Sequence, residues 1–196
     1  MNNIETEYNN LVNTPSDINE HLPVLKEYTS LCDHVTEMGV RWVISTYAFA
    51  VGKPKKLVCM DMEHPSHWRQ GVGRLEAIET YCSDNNIIFE FIQGNSLEIS
   101  IEPTDLLFID TLHSYNQLKS ELNLHSKNVK KYIMLHDTES CAHRDETNYF
   151  NLITEDLQKK GLQPALDEFL ENNKDWELDK KFTNNNGLTI LKRIIV

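Results

Sequence analysis

Residues 33 to 50 read DHVTEMGVRWVISTYAFA, and the turn inside this stretch decides the fold. His34 to Met38 form a short strand, Gly39 breaks it, and helical spacing resumes from about Ser45. A strand that closes on an acid and a glycine before a helix sets a carboxylate and free backbone N–H groups on one rim. Open α/β sheets bind nucleotide-like ligands at such a rim, because strand carboxyl ends and helix N-termini both face the crevice.

The chain on either side repeats this pattern. Leu57 to Asp61 is a buried strand ending in an acid, followed by a polar loop with His64, His67 and Trp68. Leu75, Ile78 and Cys82 share a helix face, and Ser83 to Asn86 turn the chain. A third strand, Ile87 to Ile92, leads into Gly94-Asn95-Ser96, and a fourth runs from Leu106 to Asp110. A helix from about Tyr115 to Lys127 turns Leu118, Leu122 and either Leu124 or His125 inward. Strand five, Tyr132 to Leu135, ends in His136-Asp137. Helices are expected from about Glu146 to Lys160 and again after Pro164. Trp176 to Phe182 and Leu188 to Ile194 flank Asn184-Asn185-Asn186-Gly187, and Asn-Gly between strand-like runs signals a hairpin.

Upstream, residues 1–16 are expected to be loosely ordered, and residues 17–196 to form one domain. Ser16 or Asp17 can cap a helix from about 17 to 31, with Leu22, Leu25, Tyr28 and Leu31 on one face. Gly52 suits the C′ position of the helix that ends before Pro54. Five strands separated by helical stretches call for right-handed crossovers. The expected class is therefore α/β, mostly parallel, with a C-terminal antiparallel hairpin.

Composition narrows the functions. With 19 basic against 30 acidic residues the net charge is -11, which repels polyanions. The largest basic run, Lys53 to Lys56, reads as a solvated loop, so nucleic acid and membranes are not expected partners. A small-molecule acceptor is, and assembly into a homo-oligomer stays open. Cys32, Cys59, Cys82 and Cys141 form no C-x-x-C pair and read as reduced thiols. The polar start MNNIETEYNN lacks the basic and apolar regions of a signal peptide, so a cytoplasmic location is expected.

Strand-end acids sort the ligands. Asp61 lies 22 residues beyond Gly39, where a carboxylate accepts from ribose hydroxyls; the alternative is a simple polar strand cap. The first loop has one glycine rather than G-x-G-x-x-G, which disfavours dinucleotides, and no P-loop is present. No G-x-S-x-G elbow and no zinc spacing supports a hydrolase.

Five segments line up in order: Glu37-x-Gly39-Val40-Arg41 with Ser45; Asp61; Gly94-Asn95-Ser96; Ile109-Asp110-x-x-His113-Ser114-Tyr115; and Leu135-His136-Asp137-Thr138. Together they resemble the class I S-adenosylmethionine-dependent methyltransferases. The branch is that of the small-molecule O-methyltransferases of sugar and antibiotic pathways and the cephalosporin-hydroxylase-like proteins. The resemblance implies a Rossmann-like methyltransferase sheet, with Glu37 and Gly39 beside the methionine moiety. Asp61 would then hold the ribose and Asn95 and Ser96 the adenine end, while Arg41, Ser45 and Asp110 complete the cofactor set. Trp42-Val43-Ile44 stand where the family has a second glycine, and Asn95 replaces its third-strand acid. Those departures keep open a non-catalytic relative that retains the nucleoside pocket.

Asp110, His136 and Asp137 end neighbouring strands, so they form a candidate divalent site for Mg²⁺ or Mn²⁺. The alternative is that His136 and Asp137 simply bond each other and the loop. His113 is the candidate general base, with Asp110 beside it; its competing role is to cap the next helix, where Ser114 serves equally well. His64, His67, Trp68, His143 and Arg144 could line an acceptor pocket. The activity implied is methyl transfer to a hydroxyl of a small molecule, a sugar or sugar-linked intermediate.

Overall fold

The computed structural model describes residues 4–146 and 159–194. Seven strands among them form one sheet: β1 (His34–Met38), β2 (Lys56–Asp61), β3 (Ile88–Gln93), β4 (Thr104–Ile109), β5 (Val129–His136), β6 (Trp176–Phe182) and β7 (Leu188–Arg193). Their order is β3-β2-β1-β4-β5-β7-β6, parallel throughout β3 to β5 and antiparallel from β7. The chain winds outward from β1 to β3, then returns across the sheet to β4. The tips of β1 and β4 thus flank the point where strand order reverses, the place where such sheets bind ligands.

β4 shows why the sheet is central. All six of its residues are buried, yet alternate ones serve different layers. Leu106 and Phe108 join the core under α1 (Ile4–Asn13), α2 (Leu22–Thr29), α3 (Ile44–Val51) and α4 (Arg74–Asp84). Leu107 and Ile109 join the core under α5 (Tyr115–His125) and α6 (Leu162–Asn172). A strand covered on both faces needs apolar side chains at both phases of its two-residue period.

Some expectations change. Within the segment expected to be loosely ordered, Ile4 to Asn13 are helical, with Ile4, Tyr8 and Leu11 buried at the helical spacing. The helix expected over 17–31 begins only at Leu22, after a 3₁₀ turn at Asn19–His21. Neither Ser16 nor Asp17 is the N-cap, which is His21 for the helix and Ile18 for the turn; Ser16 Oγ instead accepts from Ile18 and Asn19 N–H in the approach to that turn. No helix joins β3 to β4; Asn95 accepts from Glu98 and Ile99 N–H in a single turn. His125, not Leu124, is the inward residue of that pair. The hairpin turn centres on Asn185 and Asn186, both at positive φ, with Gly187 following. Gly52 does not take the left-handed position, which falls to Lys53 at φ 57°. Its lack of a side chain instead lets α2 close in, since a Cβ there would lie 2.5 Å from Thr29 Cγ2. The helix expected near 146–160 lies largely outside the described residues.

Gly39 is held more tightly. At φ +87° a Cβ would sit 1.9 Å from the Asp110 carbonyl oxygen, where the β1 and β4 tips meet. Gly39→Ala is expected to destabilise the protein by roughly 2–4 kcal/mol, from left-handed strain plus overpacking against backbone. Urea denaturation checks this, and a loss under 1 kcal/mol would show that the tips can separate freely.

Candidate active site

The strand tips surround a cavity of about 530 Å³, within the roughly 300–1,000 Å³ usual for small-molecule clefts. Gly39, Arg41, Ser45, Asp61, Asn95, Ser96, Asp110, His113 and Asp137 all line it. Glu37 and His136 do not. Trp42 forms part of the wall without filling the space. His67 and Trp68 also reach the cavity, whereas His64 packs edge-on against Phe91 and neither His143 nor Arg144 lines it.

Asp61 organises one side. Its Oδ2 accepts from the backbone N–H of Val40 and Arg41 at 2.7 and 2.8 Å, and its Oδ1 from Glu63 N–H at 3.0 Å. The carboxylate therefore ties the loop after β1 to the tip of β2, and Oδ1 keeps a lone pair for a ligand hydroxyl. Arg41 runs along this loop to Asp17 at 2.7 Å and stacks on Trp42. Residues 16–21 are held in turn by the hairpin tip: Asn185 donates to Ser16 O and accepts from Glu20 N–H.

Glu37 lies beneath the floor, fully buried and off the cavity lining. Ser45 Oγ, Thr46 Oγ1 and Cys59 Sγ donate to it at 2.5, 2.7 and 3.1 Å. It thus fastens the first turn of α3, whose start at Val43 (φ 67°) has no side-chain cap. Burial pushes the Glu37 carboxyl up to about 7 from 4.5, against the lowering effect of its three donors. Between those pH values the folded chain keeps a proton that the unfolded chain releases, so stability falls as pH rises through this window. The expected loss is about 3 kcal/mol, and Glu37→Gln should flatten it in denaturant titrations at pH 5, 6 and 7. An unchanged slope would assign the dependence elsewhere.

On the other side Asp110, His113 and Asp137 converge, their ligand atoms within 4.8 Å of one another. His113 Nε2 lies 3.1 Å from both Asp110 Oδ1 and Asp137 Oδ2, and its Nδ1 3.1 Å from Glu146 Oε2. Ser114 takes the N-cap of α5 by accepting from Gln117 N–H, leaving His113 free to face the carboxylates. Burial opposes the charge on His113, but hydrogen bonds to Asp110 and Glu146 and the charges of Asp110 and Asp137 push it up to about 11. So caged, its charged form is favoured by the three carboxylates around it. Asp110 is held well below the carboxylate range: burial works against this, and the neighbouring His136 and His113 outweigh it.

His136, the expected metal ligand, lies outside the converging set, in which His113 stands instead. It is 2% exposed, edge-on to His21 and 3.5 and 3.4 Å from Asp110 and Asp137. Neither ring nitrogen has an aligned hydrogen bond among the described residues. It backs the acid pair while His113 faces the cavity.

No protein-family model matches the chain, and no curated protein sequence matches it. Many solved structures share its architecture. The O-methyltransferase from Bacillus cereus, in complex with SAH, superposes with a TM-score of 0.64 at 14% identity, covering 97% of this chain and 90% of its own. The O-methyltransferase TomG from Streptomyces achromogenes, involved in tomaymycin synthesis and in complex with SAM, gives 0.60 at 14% identity, covering 92% and 81%. The fold is that of the class I methyltransferases.

Within this methyltransferase fold, one buried group joins the two ends of the cavity. Glu121 on α5 is fully buried and accepts from Ser96 Oγ at 2.6 Å, Gln117 Nε2 at 2.8 Å and Thr111 Oγ1 at 2.8 and 2.9 Å. It ties the turn after β3 to the loop after β4. Ser96, expected at the adenine end, therefore has its hydroxyl proton on Glu121. The signal for Glu121 was present, since it sits with Gln117 and Leu118 on the inward face of α5. Asp17 and Glu146 carried none, because both reach the cavity from irregular segments.

Proposed function

We propose that this chain transfers a methyl group from S-adenosylmethionine to a hydroxyl of a small molecule, with a sugar or sugar-linked acceptor. The observation that carries the reading is the single cavity at the strand-order reversal, lined together by the loop after β1, Asp61, Asn95, Asp110 and Asp137. The residues fit the cofactor: Asp61 retains acceptor capacity for ribose hydroxyls, and the acid-rich wall suits its net positive charge. When bound, the cofactor would supply a methyl on a sulfonium sulfur; the acceptor oxygen would take it as the C–S electron pair returns to sulfur and the hydroxyl proton leaves to a cavity carboxylate or to water.

The protein's own part is mainly placement. Asp61 holds the loop after β1 and the ribose; Glu121 fixes the turn carrying Asn95; Asp110 and Asp137 face the acceptor. Two carboxylates and an imidazole also fit a divalent ion, hard oxygens favouring Mg²⁺ or Mn²⁺. Such an ion would be held by Asp110, His113 and Asp137 and would lower the pKa of an acceptor hydroxyl. Isothermal titration with S-adenosylhomocysteine tests the reading: micromolar binding is expected, and no heat at millimolar ligand would leave a domain with the fold alone.

A further inference from the structure

We infer that the acceptor is a cation, a hydroxyl compound bearing a protonated amine, and not a phosphate, a carboxylate or a coenzyme A thioester. This rests on the methyltransferase reading above and names the acceptor class of the same cavity. Six carboxylates line the cavity: Asp17, Asp61, Glu63, Asp110, Asp137 and Glu146. Among the described lining residues Arg41 is the sole lysine or arginine, and its guanidinium sits 2.7 Å from Asp17. Residues 1–3, 147–158 and 195–196 contain neither lysine nor arginine.

The carboxylates of the acid cluster outnumber its imidazoles by three to two. Asp110, Asp137 and Glu146 surround His113. His136 stands 3.5 and 3.4 Å behind Asp110 and Asp137, so at most two imidazolium charges face three carboxylates. Glu146 is the outermost of the three: one oxygen meets His113 Nδ1 at 3.1 Å, while its side chain is 32% exposed and lines the open cavity. Away from any ion held by Asp110, His113 and Asp137, an anionic group would meet like charge at short range, with Arg41 already paired to Asp17. An ammonium would be paired there.

Matched probes isolate the charge: glucosamine, glucose and glucuronate share one ring and differ in sign. Each is titrated against the full-length protein loaded with S-adenosylhomocysteine and Mg²⁺, and binding is read by saturation-transfer NMR. Glucosamine is expected to bind at least tenfold tighter than glucuronate and measurably tighter than glucose. Glu146→Gln, nearly isosteric but uncharged, should weaken glucosamine about threefold or more relative to its effect on glucose, the comparison cancelling any change passed on through His113. Equal affinities, a preference for glucuronate, or no glucosamine binding by the loaded protein would overturn the inference. Loading itself is measured first, so a failure of the cofactor reading is seen separately from a failure of charge selection.

Discussion

Asp61→Ala is expected to weaken S-adenosylhomocysteine binding by roughly 10- to 150-fold, the range given by losing a charge-assisted hydrogen bond of about 1.5–3 kcal/mol. The side chain stands in two roles at once. It presents Oδ1 to the cavity and holds the Val40 and Arg41 amides through Oδ2. Alanine removes both, so the loop after β1 would lose its acceptor as well as the ligand its partner. Asp61→Asn separates these effects: one oxygen can still receive the two amides, while the charge is gone. Its expected affinity lies between wild type and alanine, with thermal stability near wild type. Calorimetric titration of the three proteins decides the matter. Wild-type affinity in the alanine variant would mean that the nucleoside sits elsewhere in the cavity.

The second large effect concerns the metal. If Mn²⁺ binds, His113→Ala should reduce its affinity more than 100-fold, because it removes one of three converging ligands. His136→Gln should cost no more than about tenfold, the low end of what residues supporting a metal's ligands contribute. Electron paramagnetic resonance of Mn²⁺ titrations measures both. The reverse ranking would restore His136 as ligand and require its ring to swing away from His21. Asp137→Ala should match His113→Ala, since its Oδ2 faces His113 while its Oδ1 accepts from Ser140 Oγ.

The contrast between these histidines shows what each level of description could reach. That an acid or histidine stands at the end of each central strand is a local fact. Apolar runs stop where polar residues begin, and parallel pairing then brings the stops to one edge. For this reason Asp61, Asp110, Asp137 and Gly39 fell in the right region from sequence, as did the five parallel strands and the reversed hairpin. The N-terminal helix was missed because its apolar residues, Ile4, Tyr8 and Leu11, are few among polar ones. Packing on α3 and α4 stabilises it more than its own propensity does.

Direction was not local. At a strand tip, adjacent side chains point to opposite faces, so a shift of one residue in the strand's end exchanges them. β5 runs through His136 and the chain then turns left-handed at Asp137, φ 58°. That turn sends His136 back against His21 and Asp137 forward to His113. β1 likewise closes one residue past Glu37, which buries its carboxylate under α3. From its sequence alone this protein was determined to be a mostly parallel α/β sheet with its acids gathered on one rim. Which of those acids and histidines face the cavity was decided only by tertiary structure, because strand ends and left-handed turns are set by neighbours distant in the chain.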